Sequence, residues 1–335
     1  MIPVMLLSIG VKLLIIAVIA VVLGYLTFII VMGWNVFRFA SKRIEKTMEL
    51  DATQVPEEEL AWYETIEQKR QALFRRPHDV VEIERDGIKM IGYYFPLSDA
   101  ERAEDRPLLG GCAVLAHGWR DTRRQRSVDA LTYLDAGCAA FVPVCRGHAP
   151  SEGPRIDLGG LHRRDFYAWM EQIRALDPTI DFFVLDGYSM GAATVLQMSG
   201  DADLPRDVAA VIADSPYTSY IDEGKWLTRT MKPWIRTPAL FFTMLFFRTV
   251  MGYRLSDATP LDQVRHASVP TMIIHGKKDD FVPTDMGIAL YEASSADPKE
   301  LWLVDGAKHV LAVAVAGDEY PARKHAFIRR ASERR

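Results

Sequence analysis

The sequence has 335 residues, 49% of them hydrophobic, and a formal net charge of −4 at pH 7. This length accommodates one large α/β domain with an appendage. The weak negative charge and the lack of a basic stripe in the globular part argue against nucleic-acid binding. No histidine and cysteine group has the spacing of metal ligands, and no cofactor is expected. The three cysteines are predicted to be buried thiols: Cys112, Cys138 and Cys145.

Residues 13–37 form an uncharged, strongly apolar run of 25 residues. As a helix this run would be about 37 Å long, against a hydrocarbon core of about 30 Å. It is longer than the apolar region of a secretory signal, so residues 1–37 are predicted to be an uncleaved, single-pass membrane anchor with the lipid bilayer as its partner. Lys12 precedes the run, and more basic residues follow it: Arg38, Lys42, Arg43 and Lys46. This asymmetry places the rest of the chain on the cytoplasmic side.

Residues 38–78 connect the anchor to the remainder of the chain. Pro56, followed by three glutamates, is typical of a helix start. Trp62, Ile66 and Leu73 then lie on one side of the predicted helix. We therefore expect a helical juxtamembrane collar that packs through this apolar stripe.

Residues 79–335 are predicted to form one α/β domain. Two extended runs flank Asp86-Gly87, a dipeptide that favours a tight hairpin. Beyond the hairpin, apolar strands alternate with helical segments, which indicates a mostly parallel sheet with helices on both faces. The later strands are expected at 112–116, 138–144, 182–186, 208–213, 270–274 and 300–304. A long insertion, residues 215–268, lies between the predicted strands 208–213 and 270–274.

The segment Gly187-Tyr188-Ser189-Met190-Gly191 follows an apolar strand and precedes a helical run. A strand, a G-x-S-x-G turn and a helix make a nucleophile elbow. Small residues at 187 and 191 let the strand and the helix approach closely, which leaves the Ser189 hydroxyl exposed. Ser189 is the predicted nucleophile, and the Met190 backbone N–H is one predicted donor to an oxyanion.

A serine hydroxyl needs a base, and the base needs an orienting acid. His309 follows the last predicted strand and is the predicted base. Asp279 follows the strand before it and is the predicted acid. Asp280 is adjacent and is an alternative acid. Asp214, at the end of the strand 208–213, is a further alternative.

Two other histidines are given structural interpretations. His275 precedes the acid loop and is expected to sit beside the acid at the strand end. His325 lies in a charged C-terminal helix and is expected to be solvated. A second oxyanion donor is expected from His117-Gly118-Trp119, where the Trp119 N–H would donate and His117 would organise the loop.

With these residues in place, the sequence resembles serine hydrolases of the α/β-hydrolase superfamily. The resemblance covers about residues 79–330 and rests on four segments in family order: His117-Gly118, the elbow, the acid loop and the His309 loop. The acid loop is similar to that of the branch with prolyl-oligopeptidase-like, Bem46-like and acyl-thioesterase-like hydrolases. One loop departs from the family pattern, because Val144 replaces a common Asp and Ala149 replaces a Gly.

The resemblance implies an α/β-hydrolase fold preceded by one transmembrane helix, with a helical cap formed by residues 215–268. A cap would line an apolar acyl pocket with its phenylalanines and methionines. Two other interpretations of the insertion stay open. It could be a helix packed on the core, or a helix whose apolar face dips into the membrane interface.

The implied function is hydrolysis of an ester or thioester, with a small hydrophobic acyl compound as substrate and a Ser-His-Asp triad as catalyst. A peptidase that uses the same triad is an alternative, although no propeller domain precedes the catalytic part. A membrane-tethered scaffold with a vestigial triad is a third hypothesis. The oligomeric state is not predicted by the sequence.

Overall fold

The computed structural model describes residues 2–45, 57–103, 109–121, 126–159, 162–257 and 259–334. The chain divides into two compact units. The first unit combines residues 1–40 with residues 224–254 of the insertion, and the second contains residues 41–223 and 255–335.

Two of the described helices precede the first strand, and strands and helices mostly alternate after the second strand. In chain order they are α1 (Ile2–Ser41), α2 (Glu57–Phe74), β1 (Asp79–Arg85), β2 (Ile88–Phe95), α3 (Asp99–Arg102), β3 (Cys112–Ala116), α4 (Arg126–Asp135), β4 (Ala139–Pro143), α5 (His162–Leu176), β5 (Phe183–Tyr188), α6 (Met190–Ser199), β6 (Val208–Asp214), α7 (Tyr220–Leu227), α8 (Pro233–Phe246), α9 (Pro260–Gln263), β7 (Thr271–Gly276), α10 (Thr284–Ala293), β8 (Lys299–Val304), α11 (Ala312–Ala316) and α12 (Glu319–Ser332).

The second unit is built on an eight-stranded sheet with the order β1-β2-β4-β3-β5-β6-β7-β8. The pairs β1–β2 and β2–β4 are antiparallel, and all other neighbouring strands are parallel. The hairpin closes at Asp86-Gly87, with Arg85 opposite Ile88. The predicted fold class, a mostly parallel α/β sheet, is confirmed.

Helices cover both faces of this sheet, as predicted. Along β3, Ala113 and Leu115 join the apolar cluster formed with α4 and α12, whereas Cys112, Val114 and Ala116 join the cluster formed with α5, α6 and α10. This alternation is the period of two that a strand imposes on its side chains. Cys112, Cys138 and Cys145 are free, buried thiols, which confirms the expectation from the sequence.

The collar segment contains the helix α2. Ile66 and Leu73 are buried, and Trp62 is half-buried. Leu73 joins the same apolar cluster as Phe95 and Tyr133. The helix is therefore held to the sheet unit by its apolar side chains.

The strand register brings several loops to one edge of the sheet. Ala116 pairs with Gly187, and Gly187 pairs with Ala213, so β3, β5 and β6 end at the same level. Further along, Gly276 pairs with Val304 at the ends of β7 and β8. The carboxyl edge of a parallel sheet is where open α/β folds place their ligand sites.

The first unit contains the long N-terminal helix. Among the helices that the structure describes, it alone is long enough and apolar enough to cross a membrane. The span Ile9–Ser41 has a mean hydropathy of 3.0 in its most apolar window, and only 6% of that window is buried. The insertion contributes α8 and a π-helical turn at Phe247–Met251 to the same unit. All secondary structure that the structure describes in the insertion is therefore helical.

The expectation that His325 is solvated is wrong. Its side chain is half-buried, and its ring centroid lies 5.4 Å from that of Tyr133 on α4. Burial, reinforced by the neighbouring Lys324 and Arg329 charges, lowers the pKa of His325 to about 4. The charged composition of α12 concealed the fact that one face of this helix packs on the core.

Four charged side chains are buried together beneath the end of β5. Lys324 Nζ lies 2.6 Å from Asp129 Oδ1 and 2.5 Å from Asp186 Oδ2. Arg126 completes the cluster, with Nη2 2.9 Å from Asp186 Oδ1, and Tyr133 donates to Asp186 Oδ2 at 2.7 Å. The cluster ties α4, β5 and α12 together, three residues before Ser189.

Replacing Lys324 with methionine should lower the free energy of unfolding by about 3–5 kcal/mol, because it leaves two buried carboxylates with one cation. Arg330→Met on the same helix is the matched control. It breaks the exposed Arg330–Glu300 pair and should cost less than about 1 kcal/mol. Equilibrium denaturation of the full chain in detergent measures both. Equal losses in the two variants would contradict the structural role of the cluster.

Candidate active site

Ser189 sits at the sharp turn between β5 and α6. Its φ of +51° and ψ of −112° lie outside the ordinary regions for a residue with a side chain. The flanking glycines explain how the turn fits. A Cβ on Gly187 would lie 2.3 Å from the Gly191 carbonyl carbon, and a Cβ on Gly191 would lie 2.3 Å from the Ala116 oxygen. Any larger residue at either position would push α6 away from the sheet.

The Ser189 backbone is fixed on both sides of the turn. Its N–H donates to the Asp214 carbonyl at 2.9 Å, and its own carbonyl accepts from the Ala193 N–H at 2.9 Å. The residue is only 8% exposed. Strain at a held backbone position of this kind is found mainly at functional sites.

The three residues predicted to form a triad come together around the Ser189 hydroxyl. His309 Nε2 lies 3.0 Å from Ser189 Oγ, and His309 Nδ1 lies 2.7 Å from Asp279 Oδ2. The ionised carboxylate can only accept, so Nδ1 carries the proton and Nε2 presents its lone pair to the serine hydroxyl. This is the geometry of an activated serine.

Asp279 is held by backbone donors as well as by histidine. Its Oδ1 accepts the N–H groups of Phe281 at 3.1 Å and Val282 at 2.8 Å. Burial alone would raise the pKa of Asp279, but hydrogen bonds from His275, His309 and Val282 lower it to about 2. The carboxylate therefore stays ionised across the neutral range. The neighbouring Asp280 is exposed.

His275 lies beside the acid at the end of β7, at the position expected from the sequence. Its ring is buried, with Nε2 3.0 Å from the Val282 carbonyl and 3.3 Å from Asp279 Oδ2. A Cβ on Gly287 would lie 2.4 Å from its Nδ1, so α10 closes tightly over the ring. His275 braces the loop that carries Asp279.

Asp214, the further alternative acid, is engaged elsewhere. Its Oδ1 accepts from the Ser215 hydroxyl at 2.9 Å, and its Oδ2 accepts from the Tyr320 hydroxyl at 2.8 Å. Burial raises the pKa of Asp214 to about 6, against the opposing effect of these two hydrogen bonds. Geometry therefore favours Asp279 over Asp214 as the partner of His309.

The loop after β3 reaches the nucleophile. A Cβ on Gly118 would lie 3.6 Å from the Tyr188 carbonyl oxygen and 3.7 Å from Ser189 Cβ. Trp119, the predicted second donor, follows directly, and Met190 begins α6 on the other side of the serine. The oxyanion roles of the Trp119 and Met190 backbone N–H groups stay predictions.

His117 organises this loop. Its Nε2 accepts the Cys145 N–H at 3.0 Å, which assigns the proton to Nδ1, and Nδ1 donates to the Gly118 carbonyl at 2.8 Å. Burial lowers the pKa of His117 to about 4, so the ring is neutral at pH 7. In the described part of the chain, no group of three or more histidine, cysteine or carboxylate residues could hold a metal ion.

No family model matches the chain. Among curated proteins it is 25% identical to YqkD of Bacillus subtilis over 179 residues, or 53% of this chain and 58% of YqkD. It is 24% identical to Rv2307c of Mycobacterium tuberculosis over 233 residues, or 69% of this chain and 72% of that protein. Both relatives are described as uncharacterised, so neither assigns an activity.

The solved structures give a clearer result. The Pyrococcus furiosus esterase Pf2001 superposes with a TM-score of 0.60 at 20% identity, covering 78% of this chain and 95% of the esterase. The α/β-hydrolase GrgF from Penicillium superposes with a TM-score of 0.57 at 20% identity, covering 76% and 99%. The chain has the α/β-hydrolase fold. A puromycin-hydrolysing peptidase of Mycobacterium tuberculosis is also similar, with a TM-score of 0.59 at 16% identity, covering 77% of this chain and 40% of the peptidase.

The structure places two further residues beside the triad that the sequence pattern does not predict. Ser215 is buried at a φ of +55°, and its Oγ accepts the Val310 N–H at 3.2 Å while donating to Asp214. Val310 follows His309 and also has a positive φ, +51°. Ser215 therefore ties the end of β6 to the loop that carries the base.

Phe281 is the other such residue. Its ring centroid lies 4.9 Å from that of His309, and 39% of the side chain is exposed. It presents an apolar surface directly beside the proposed base. The Asp279 loop thus supplies both the acid and an aromatic wall, and only the position of the acid was signalled by the sequence pattern.

Replacing Ser215 with alanine should lower kcat for a chromogenic acyl ester about fivefold and leave KM nearly unchanged. The reason is that one hydrogen bond, worth about 1 kcal/mol, no longer fixes the His309 loop. The matched control is Ser199→Ala, which removes another fully buried hydroxyl that bonds to the Leu196 carbonyl at 2.8 Å. Equal effects of both variants on kcat would show that Ser215 does not position the base.

Proposed function

We propose that this chain is a serine hydrolase that cleaves an ester or thioester through an acyl-enzyme. The observation that carries the proposal is the continuous hydrogen-bonded series Ser189–His309–Asp279, with distances of 3.0 and 2.7 Å. The α/β-hydrolase fold supports it, because each of these residues follows a strand at the carboxyl edge of the sheet.

In the proposed reaction, Ser189 Oγ attacks the carbonyl carbon and His309 Nε2 takes the hydroxyl proton. The tetrahedral intermediate then expels the alcohol or thiol, which receives that proton from His309. Water then attacks the acyl-enzyme while His309 takes one of its protons. His309 returns that proton to Ser189 Oγ as the carboxylic acid leaves. Asp279 keeps His309 in the tautomer that accepts from serine and stabilises the imidazolium.

The negative oxygen of each intermediate would bind to the backbone N–H groups of Trp119 and Met190. One such donor is typically worth about 3–4 kcal/mol of transition-state stabilisation. The partial positive charge at the N-terminus of α6 would add to this effect. The close approach of Gly118 to Ser189 supports the assignment, since it brings the Trp119 peptide to the reacting centre.

An apolar acyl group is the preferred substrate chemistry. Phe281 offers a half-exposed aromatic surface beside His309. The structural likeness to an esterase, which shows a shared fold, agrees with an ester as substrate. We therefore propose a small acyl ester or thioester whose chain contacts Phe281 as the substrate.

We also propose that α1 anchors the enzyme in a lipid bilayer. The support is its length and its mean hydropathy of 3.0. The basic residues after the span outnumber the one before it, which supports a cytoplasmic position for the hydrolase unit. The three reduced, buried cysteines agree with that compartment.

A peptidase is the second candidate. Its support is the structural likeness to a puromycin-hydrolysing peptidase, which uses the same fold. A triad of this geometry attacks amides as well as esters, so the triad does not separate the two. Turnover of aminoacyl anilides beside acyl esters of increasing chain length does.

We expect acyl esters or thioesters to be hydrolysed faster than anilides. Ser189→Ala and His309→Ala should each lower kcat by about 10⁴ or more, and Asp279→Asn by about 10⁴ through loss of the correct tautomer. Asp280→Asn is the matched control, since it removes the adjacent, exposed carboxylate, and it should change kcat less than about twofold.

Preferred turnover of anilides would favour the peptidase instead. Equal losses in Asp279→Asn and Asp280→Asn would contradict the assignment of the acid. Full activity in Ser189→Ala would contradict the proposed nucleophile.

A further inference from the structure

Within the first unit, α1 and α8 lie side by side. Near the start of α8 the Tyr25 hydroxyl donates to the Trp234 carbonyl, at 2.5 Å. Farther along, Thr243 Oγ1 donates to the Gly33 carbonyl at 3.1 Å. The contacts advance in the same direction on both helices, so the two helices run parallel over about a dozen residues.

Aromatic rings extend this contact to the end of α8. The ring centroids of Trp34 and Phe246 are 5.0 Å apart, and those of Phe37 and Phe247 are 4.9 Å apart. Both pairs meet edge to face, an arrangement that stabilises aromatic contacts beyond their buried area. The last four turns of α1 thus have α8 as a neighbour.

Gly33 allows the two backbones to approach closely. A Cβ at this position would lie 2.7 Å from Phe242 Cβ and 2.8 Å from the Ala239 carbonyl oxygen. Thr243, which bonds across to Gly33, also bonds to the Ala239 carbonyl of its own helix at 2.9 Å. Small residues and hydroxyl hydrogen bonds at a helix contact are the typical means by which helices associate in lipid.

Three large apolar residues of α8 are exposed, although the ring of Trp234 also packs against Tyr25 of α1, with a centroid distance of 5.9 Å. Trp234, Phe241 and Leu245 are 61%, 56% and 37% exposed. Their spacing of seven and four residues places them on one stripe of the helix. Val250, in the π-helical turn that follows α8, is also 46% exposed. An apolar surface of this kind marks an interaction site.

The same stretch of α1 is apolar on its own outer side. Phe28 and Val31 are 47% and 51% exposed, and the exposed apolar residues of α1 extend from Ile9 to Phe39. Both helices of the pair therefore expose apolar side chains, and those of α1 run along the length of the proposed anchor. A protein partner would cover one side of such a pair, whereas lipid covers every side.

Charges set how α8 meets the lipid. Lys232 and Arg236 lie at its start and Arg248 follows its end, which leaves eleven uncharged residues, 237–247, between them. These cover about 16 Å as a helix, too short to cross a hydrocarbon core of about 30 Å. Because α8 runs parallel to α1 and starts beside Tyr25, the long Lys232 and Arg236 side chains must extend along the helix pair towards the headgroups, while Arg248 lies at the opposite end of α8.

We infer that α8 is a second membrane-contacting element, which enters the bilayer beside α1 without crossing it. Trp234, Phe241 and Leu245 then contact lipid acyl chains. The inference rests on the proposed anchor but is independent of the proposed chemistry at Ser189. Of the three interpretations of the insertion, it favours contact with the membrane for the segment 233–250.

The test is cysteine accessibility in the full chain, reconstituted in phosphatidylcholine and phosphatidylglycerol vesicles. The native cysteines are buried and add little background. Phe241→Cys and Leu245→Cys report on α8, Val21→Cys (72% exposed) reports on the anchor, and Leu176→Cys (47% exposed) reports on the water-facing surface of α5. Each variant is labelled with a membrane-impermeant maleimide, and labelling after SDS denaturation gives the total.

The Phe241→Cys and Leu245→Cys variants should each be labelled at least about tenfold more slowly than Leu176→Cys, because thiols among acyl chains are shielded from a charged reagent. The Val21→Cys variant should be shielded in the same way. Rapid labelling of both α8 positions with a protected position 21 would overturn the inference and leave the anchor intact. Rapid labelling at position 21 as well would overturn both. Protection of α8 that disappears at low protein-to-lipid ratio would show a second copy as the occupant, and would also overturn it.

Discussion

The close packing of α6 against β3 and β5 is the constraint on which the site depends. Gly187 and Gly191 leave no room for side chains, and their backbones meet each other and the end of β3. This contact forces Ser189 into a positive φ and aims its hydroxyl out of the sheet. It also brings the start of α6 and the Gly118 loop to the same point, so the proposed nucleophile and both proposed oxyanion donors follow from one packing requirement.

The rest of the site is positioned by strand register. Since β5 to β8 end at the same edge, the loops that carry Ser189, Ser215, Asp279 and His309 converge without long excursions. Hydrogen bonds then fix each loop: Ser215 holds the His309 loop through Val310, and backbone donors hold Asp279. Positive φ values at Ser189, Ser215 and Val310 show that strain is concentrated where the loops meet.

The sequence predicted the sheet well because buried parallel strands are short apolar runs with polar loops between them. The predicted run 112–116 coincides with β3, and 208–213 differs from β6 by one residue. The sequence pattern does not separate Asp279 from Asp280, because only the folded loop shows that Asp279 is the buried one. Ser215 gave no pattern at all, since its role depends on a residue 95 positions away. The contact of α8 with α1 depends in the same way on residues about 210 positions apart.

The central claim is that Ser189 is an activated nucleophile, and labelling by a fluorophosphonate probe, followed by intact mass, tests it most directly. The full chain in detergent should form one adduct per molecule, Ser189→Ala should form none, and His309→Ala should react far more slowly. An adduct of undiminished yield in Ser189→Ala, or no adduct on folded parent protein, would contradict the account.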